Sequence, residues 1–404
     1  MLYVFRALRN DPWVQALSAL SAGCLERKTA EVGEHYAALY AALAEAGHAD
    51  LFTAAATSLR FSASPLADTA PNPPAGLLTG ARHDLTALLT LLGRDWHAEA
   101  TEITDAELPP LTGLADNSAD AGTAALAELL RAGELEPVWT ALLTSYRAHG
   151  GGDLARYPAF RWSGNALRGV LHPDWPDAAR LVGVDGPLGR LYANTEAFLA
   201  GRGAQHGAQH ALLYGPRGSG KSTALRSLGG RYADAGLRLV EVAPDALGAL
   251  PEISEQLRGR PHRYLIFTDD LSFEAGSSAY GPLKSLLEGS LTARPENVLV
   301  YATSNRRHLV PERFSDRPDP LSADVHAWDT QHERLALADR FGLVITFPDA
   351  TQRRYLEIVR GLAERDGIQN EGLEERAIRF AEWGNGYSGR TAEQFVRALK
   401  SGLA

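Results

Sequence analysis

The run Gly215-Pro-Arg-Gly-Ser-Gly-Lys-Ser222, followed by Thr223, restricts the fold of this chain more than any other segment. It satisfies G-x-x-x-x-G-K-S/T, a glycine-rich loop whose backbone N–H groups wrap phosphate oxygens while the lysine reaches the β- and γ-phosphates. Such a loop works between a buried strand and the start of a helix, where the helix dipole adds positive partial charge. Both flanks are present. Ala211-Leu-Leu-Tyr214 reads as the strand and Ser222-Thr-Ala-Leu-Arg-Ser-Leu228 as the first turns of the helix. The candidate phosphate-binding set is therefore Gly215, Pro216, Arg217, Gly218, Ser219, Gly220, Lys221, Ser222 and Thr223.

Residue usage strengthens this reading. Of 40 basic residues only Lys28, Lys221, Lys284 and Lys400 are lysines; all others are arginine. A lysine stands where a slim ammonium must enter between phosphates, a space that a forked guanidinium does not fit. The 404 residues, 45% hydrophobic, suit two or three packed domains. No apolar run approaches the roughly 18–20 residues that cross a bilayer, and the N-terminus has no basic segment followed by an apolar core. A cytoplasmic protein with no membrane association is expected. The single cysteine, Cys24, excludes an internal disulfide and a multi-cysteine metal site, and reads as a buried thiol. Net charge is −9, concentrated in residues 1–175, which hold 12 basic against 20 acidic side chains. That half is unsuited to gripping nucleic acid by bulk electrostatics.

Residues 1–150 read as an all-α N-terminal domain, rich in Ala and Leu, suited to recognising a partner. Asp11-Pro12 looks like a capped helix start. Tyr36, Leu39, Tyr40 and Leu43 recur at helical spacing, as do Leu85, Leu88, Leu89, Leu91 and Leu92, and a further helix is expected from about Glu136 to Tyr146. Residues 151–177, aromatic and proline-broken, read as a junction lying against one of the domains. From 178 to 349 strands alternate with helices, the pattern of a parallel sheet. The clearest strands are Leu239–Val242, Tyr264–Thr268, Val298–Thr303 and Leu343–Phe347. Residues 350–404 turn helical again, at Gln352–Arg365, Leu373–Trp383 and Thr391–Leu399.

Hydrolysis needs a metal site and a means of activating water. The strand Tyr264–Thr268 ends in Asp269-Asp270, which assigns Asp269, with Ser222, to Mg²⁺ and Asp270 to the attacking water. Glu274, four residues on, is a second candidate for the water. Asn305, just beyond the next strand, suits a γ-phosphate sensor that adds no negative charge. Arg340, leading into the last strand, can reach a neighbouring subunit's γ-phosphate, and Arg390, at the start of the terminal helix, can touch phosphate within its own chain. Lys284 reads equally as a contact to a neighbouring subunit or threaded partner or as a solvated helix residue. The cluster Arg306, Arg307, His308, Arg313 and Arg317 reads first as a solvated intersubunit loop, with a neighbour's acids, a nucleotide or nucleic acid as the alternative contacts.

These five stations, in this order over residues 178–404, resemble the AAA+ ATPases: Walker A, Walker B, sensor 1, arginine finger and sensor 2. More specifically they resemble a bacterial AAA+ family filed as domain of unknown function eight-one-five. The likeness lies in Leu181-Val-Gly-Val-Asp185, Asn194-Thr-Glu-Ala-Phe-Leu199, Thr268-Asp-Asp-Leu-Ser-Phe-Glu274, Ala302-Thr-Ser-Asn-Arg-Arg-His-Leu-Val-Pro-Glu312 and Leu337-Ala-Asp-Arg-Phe-Gly-Leu343. The resemblance implies an α/β P-loop core with a parallel sheet, a C-terminal helical lid, ATP and Mg²⁺ as ligands, and ring assembly. Most AAA+ proteins follow the metal aspartate with glutamate; here Asp270 is one methylene shorter, and slow hydrolysis without a partner is expected.

The leading expectation is an oligomeric molecular switch or remodelling ATPase acting on a macromolecular partner chosen by the helical front half. A nucleic-acid-handling ATPase such as a helicase loader shares the order of motifs, but no face combining aromatic and basic residues is visible. A P-loop kinase for a small molecule is disfavoured by the Leu-Ala-Asp-Arg-Phe-Gly run and the terminal helices. No Asn-Lys-x-Asp guanine reader is present, which favours ATP over GTP.

Overall fold

The computed structural model describes residues 2–69, 72–115, 119–201, 207–272, 280–288, 295–305, 340–368, 371–384 and 386–402. The chain divides into two compact units, Met1–Arg156 and Tyr157–Ala404.

The first unit is helical. Its longer helices are α1 (Pro12–Glu26), α2 (Thr29–Glu45), α3 (Leu51–Phe61), α4 (Ala75–Leu92), α5 (Trp96–Thr104), α6 (Ala121–Ala132) and α7 (Leu135–His149). Apolar residues three and four apart bring one stripe of each helix inward. Trp13, Leu17, Leu20 and Cys24 of α1 meet Val32, Tyr36, Leu39 and Leu43 of α2 in one core, and Leu85, Leu88, Val138, Leu142 and Tyr146 belong to it as well. Asp11 occupies the N-cap position of α1 without making a side-chain capping bond. Asp50, Asp95 and Asp120 do cap α3, α5 and α6. Asp84, fully buried, accepts the backbone N–H groups of Tyr3, Val4 and Phe5. Three amide donors make this buried carboxylate tolerable and tie the N-terminal segment to α4.

Among the described residues the second unit is built on a seven-stranded sheet of order β2-β1-β4-β5-β6-β3-β7. The strands are β1 (Ala159–Ser163), β2 (Ala166–Gly169), β3 (Ala211–Tyr214), β4 (Leu237–Glu241), β5 (Arg263–Thr268), β6 (Val298–Ser304) and β7 (Leu343–Thr346). All neighbours are parallel except β1 and β2. This hairpin is the main departure from the expected organisation, because it lies within the stretch read as a junction. Its two-residue loop, Gly164-Asn165, has positive φ at both positions (57° and 59°), the geometry that joins two right-twisted strands tightly.

Beyond the hairpin, Trp175 lies on helix α9 (Lys221–Tyr232), which follows α8 (Asp185–Leu199). A Cβ on Gly229 would stand 2.1 Å from the Trp175 ring, so the indole occupies the space that glycine leaves open. Helices α10 (Leu250–Leu257) and α11 (Tyr280–Glu288) follow in the order of the chain. Helices α12 (Gln352–Arg365), α13 (Leu373–Trp383) and α14 (Gly389–Lys400) form a lid with its own core of Tyr355, Val359, Leu362, Ala381 and Phe395. Strand β3 sits between β6 and β7, while the chain leaves it through α9 for β4 on the far side of β6. Such a reversal of strand order opens a crevice at the carboxyl ends of the strands.

Candidate nucleotide site

A cleft of about 1000 Å³ occupies that crevice. Its walls are the glycine loop, the tips of β5 and β6, the segment from Asp174 to Val184, and the facing sides of α12 and α14. The loop leaves β3 at Gly215, where a Cβ would lie 2.5 Å from the carbonyl oxygen of Phe347. Only glycine lets the chain turn there against the end of β7. Gly220, with φ 93°, is the left-handed N-cap from which α9 starts. The lid comes equally close: a Cβ on Gly389 would lie 2.9 Å from Gly218 O. The N-termini of α9 and α14 therefore converge on one loop.

Lys221 is 6% exposed. Its ammonium donates to Gly215 O (2.7 Å), Pro216 O (2.8 Å) and Asn305 Oδ1 (3.0 Å). All three acceptors are neutral. Burial pushes its pKa below the usual lysine value and Arg390 adds to that, while Asp269 and Asp270 oppose it. A buried cation whose described hydrogen bonds all go to neutral oxygens fits an anion arriving from the cleft. Ser219 Oγ, also in the loop, is buried with no hydrogen-bond partner among the described residues.

The two acids stand where β5 leaves the sheet. Ser222 Oγ donates to Asp269 Oδ1 at 2.6 Å, and Thr303 Oγ1 donates to the same oxygen at 2.5 Å. Asp270 has φ 53°, a left-handed conformation that costs an L-residue on the order of 1 kcal/mol. Its N–H bonds Thr303 Oγ1 at 2.9 Å, and its Oδ1 accepts from Asn305 Nδ2. Asn305 thus links the lysine to the second aspartate. A hydroxyl and a carboxylate in contact, both lining the cleft, are suitable oxygen donors for Mg²⁺. Among the described residues no cluster of three or more His, Cys, Asp or Glu could hold a metal alone, so phosphate and water oxygens would complete such a shell.

The cleft thus unites Arg217, Gly218, Ser219, Gly220, Lys221, Ser222, Thr223, Asp269, Asp270, Asn305 and Arg390. Gly215 and Pro216 contribute carbonyls to Lys221. Arg340 does not line it; it precedes the amino end of β7, whereas the loop follows the carboxyl end of the neighbouring parallel strand β3. Glu274, Arg306, Arg307, His308, Arg313 and Arg317 lie outside the described residues, and Lys284 is on α11. Sequence reasoning missed an apolar wall of Leu181, Val182 and Val184 facing Ile358 and Leu362, which suits a flat base. It also missed Arg180 and Arg354 on the same walls, and Thr303. Among the described residues no helix is long and apolar enough to cross a membrane.

A family match covers residues 155–403, and that family is described as "Protein of unknown function (DUF815)". Among solved structures, the RuvB Holliday junction branch migration motor of Thermotoga maritima is 15% identical, with 54% of this chain and 62% of that chain covered at a TM-score of 0.36. A DNA replication initiation factor is 15% identical, with coverages of 58% and 66% and a TM-score of 0.33. The replication initiator DnaA bound to AMPPCP and single-stranded DNA is 14% identical, with coverages of 53% and 61% and a TM-score of 0.32. The chain spans less than two thirds of the length of each of these. Likenesses this loose transfer neither substrate nor partner. No curated protein matches the chain. With well over half of its residues matched from Ala155 onward, this chain belongs to the DUF815 family.

Proposed function

We propose that this chain binds ATP with Mg²⁺ and hydrolyses it, working in the cytoplasm as a ring-forming oligomer that switches or remodels a macromolecular partner. The helical unit Met1–Arg156 chooses that partner, and α12 to α14 act as the nucleotide-responsive lid. One observation carries the reading: the buried ammonium of Lys221 has three described hydrogen-bond acceptors, all neutral, in a cleft that also holds Ser222, Asp269 and Asp270.

In this reading Lys221 exchanges loop carbonyls for β- and γ-phosphate oxygens, and the α9 N-terminus faces the same charge. A divalent ion held by Ser222 and Asp269 would neutralise charge on the phosphates. Asp270 takes the proton of the attacking water through the carboxylate oxygen that Asn305 leaves free. Arg390 stabilises charge in cis, and Arg340 does so from the neighbouring copy. The Leu181–Val184 wall takes the base.

Measurement of ATP retention and phosphate release tests this. The unaltered protein retains ATP with Mg²⁺ and releases phosphate, and EDTA abolishes release. Asp270→Asn retains ATP and loses at least about 100-fold in turnover, the usual share of a general base. Equal ATP retention by Lys221→Ala would sink the reading. Capture of the bound partner by Asp270→Asn in ATP then distinguishes a protein from a nucleic acid.

A further inference from the structure

From the contacts at the tip of β6 we infer that Thr303 is a positioning residue for hydrolysis, setting both carboxylates through a single hydroxyl; this rests on the ATPase reading above. Strand β5 pairs with β6 as far as Thr268 opposite Ala302, and there the ladder of paired strands stops. The next two residues are the acids, and β6 goes on holding them. Thr303 Oγ1 donates to Asp269 Oδ1 (2.5 Å) and accepts the N–H of Asp270 (2.9 Å). Thr303 O accepts the N–H of Leu271 (2.7 Å), and Ser304 Oγ donates to Leu271 O (2.9 Å).

The hydroxyl uses its donor on one aspartate and its acceptor on the backbone of the other. Thr303 is 2% exposed, so water does not replace either bond. Two adjacent carboxylates repel, and Asp270 additionally sits at φ 53°, which its chain does not favour. Without the hydroxyl the peptide between them relaxes. Asp270 then turns away from Asn305, and Asp269 loses one of its two described donors. Thr303 touches neither phosphate nor water in this scheme; it acts through the acids. A misplacement of about 1 Å in such a group is enough for a loss near 100-fold.

The test compares Thr303→Val, equal in shape without the hydroxyl, and Thr303→Ser, which keeps it. The full-length chain is assayed for kcat, KM for ATP, the Mg²⁺ concentration at half-maximal rate, and affinity for a fluorescent ATP analogue. Thr303→Val is expected to lose roughly 10- to 100-fold in kcat and to need several-fold more Mg²⁺, with affinity for the analogue in EDTA unchanged. Thr303→Ser restores both values to within about threefold, since it rebuilds the same two bonds. Should valine prevent folding, Thr303→Ala reads the same split with less bulk. A valine or alanine variant that turns over like the unaltered chain overturns the inference alone, as does a serine variant as slow as valine. An unaltered chain that binds ATP without releasing phosphate overturns the ATPase reading and this inference with it.

Discussion

Arg340 and Lys221 stand beyond opposite ends of two neighbouring parallel strands. Strands β3 and β7 run parallel in register from Ala211 beside Leu343 to Tyr214 beside Thr346. Lys221 follows the carboxyl end of β3, whereas Arg340 precedes the amino end of β7. The strand alone separates them by roughly 10 Å at about 3.3 Å per residue. On the proposed reading, Arg340 therefore serves a nucleotide held by another copy of the chain. Arg340→Ala and Asp270→Asn are each expected to be at least 100-fold slower than the unaltered protein. An equal mixture regains turnover, because roughly a quarter of its interfaces pair an intact Asp270 with a partner's intact Arg340. Rates of the mixture no higher than either variant alone would place Arg340 outside the reaction.

Lys221 makes a separable prediction about stability. Its charged form is disfavoured in the folded chain, so the ammonium opposes folding below its depressed pKa and this penalty fades as pH rises toward the ordinary lysine value. Lys221→Met keeps length and apolar stem without the charge. ATP affinity by calorimetry is expected to fall at least about 100-fold, near 2.7 kcal/mol, while the melting temperature at pH 7 holds or rises. A drop of several degrees would make the lysine a structural residue.

The indole of Trp175 fills the space beside Gly229 on the phosphate-loop helix. Gly229→Ala is expected to cost about 1–3 kcal/mol of unfolding free energy in urea, because the new methyl overlaps the ring. In combination with Trp175→Ala the cost of the alanine shrinks, and a double-mutant cycle reads that coupling. Fully additive effects would show that the packing does not hold in solution.

His48, in the helical unit, gives a pH dependence with a defined sign. Burial holds its pKa below 6.5, Arg156 pushes the same way, and Asp11 and Asp50 oppose. The unfolded chain therefore takes up the proton first. Stability is complete above about 6.5 and declines as pH falls from there toward the depressed folded value, by at most about 1.4 kcal/mol per pH unit for one proton. His48→Gln should flatten that part of a urea-midpoint profile between pH 7 and 5. An unchanged profile would assign the acid sensitivity elsewhere.

The glycine loop, its strand and its helix were legible because their chemistry is local: glycine spacing, one lysine and the apolar run before them are consecutive residues. For the same reason the remaining core strands emerged within one or two residues of their ends, and the helices Gln352–Arg365 and Leu373–Trp383 with both ends as read. Burial on both faces writes a continuous apolar run, and burial on one face writes a helical period. The hairpin β1–β2 was missed although Gly164-Asn165 is a turn signal, since prolines and aromatics around it looked like a connector.

Order along the chain also sufficed to nominate Asp269, Asp270, Asn305 and Arg390, all of which line the same cleft. What only the tertiary structure decided is how they face one another. The bond from the lysine to Asn305, the hydroxyl of Thr303 shared by two acids, the glycine contact between lid and loop, and the position of Arg340 at the far end of the neighbouring strand all join residues far apart in sequence. Such contacts depend on strand order and on which side chains exclude water, and neither is encoded in the spacing of residues along one segment.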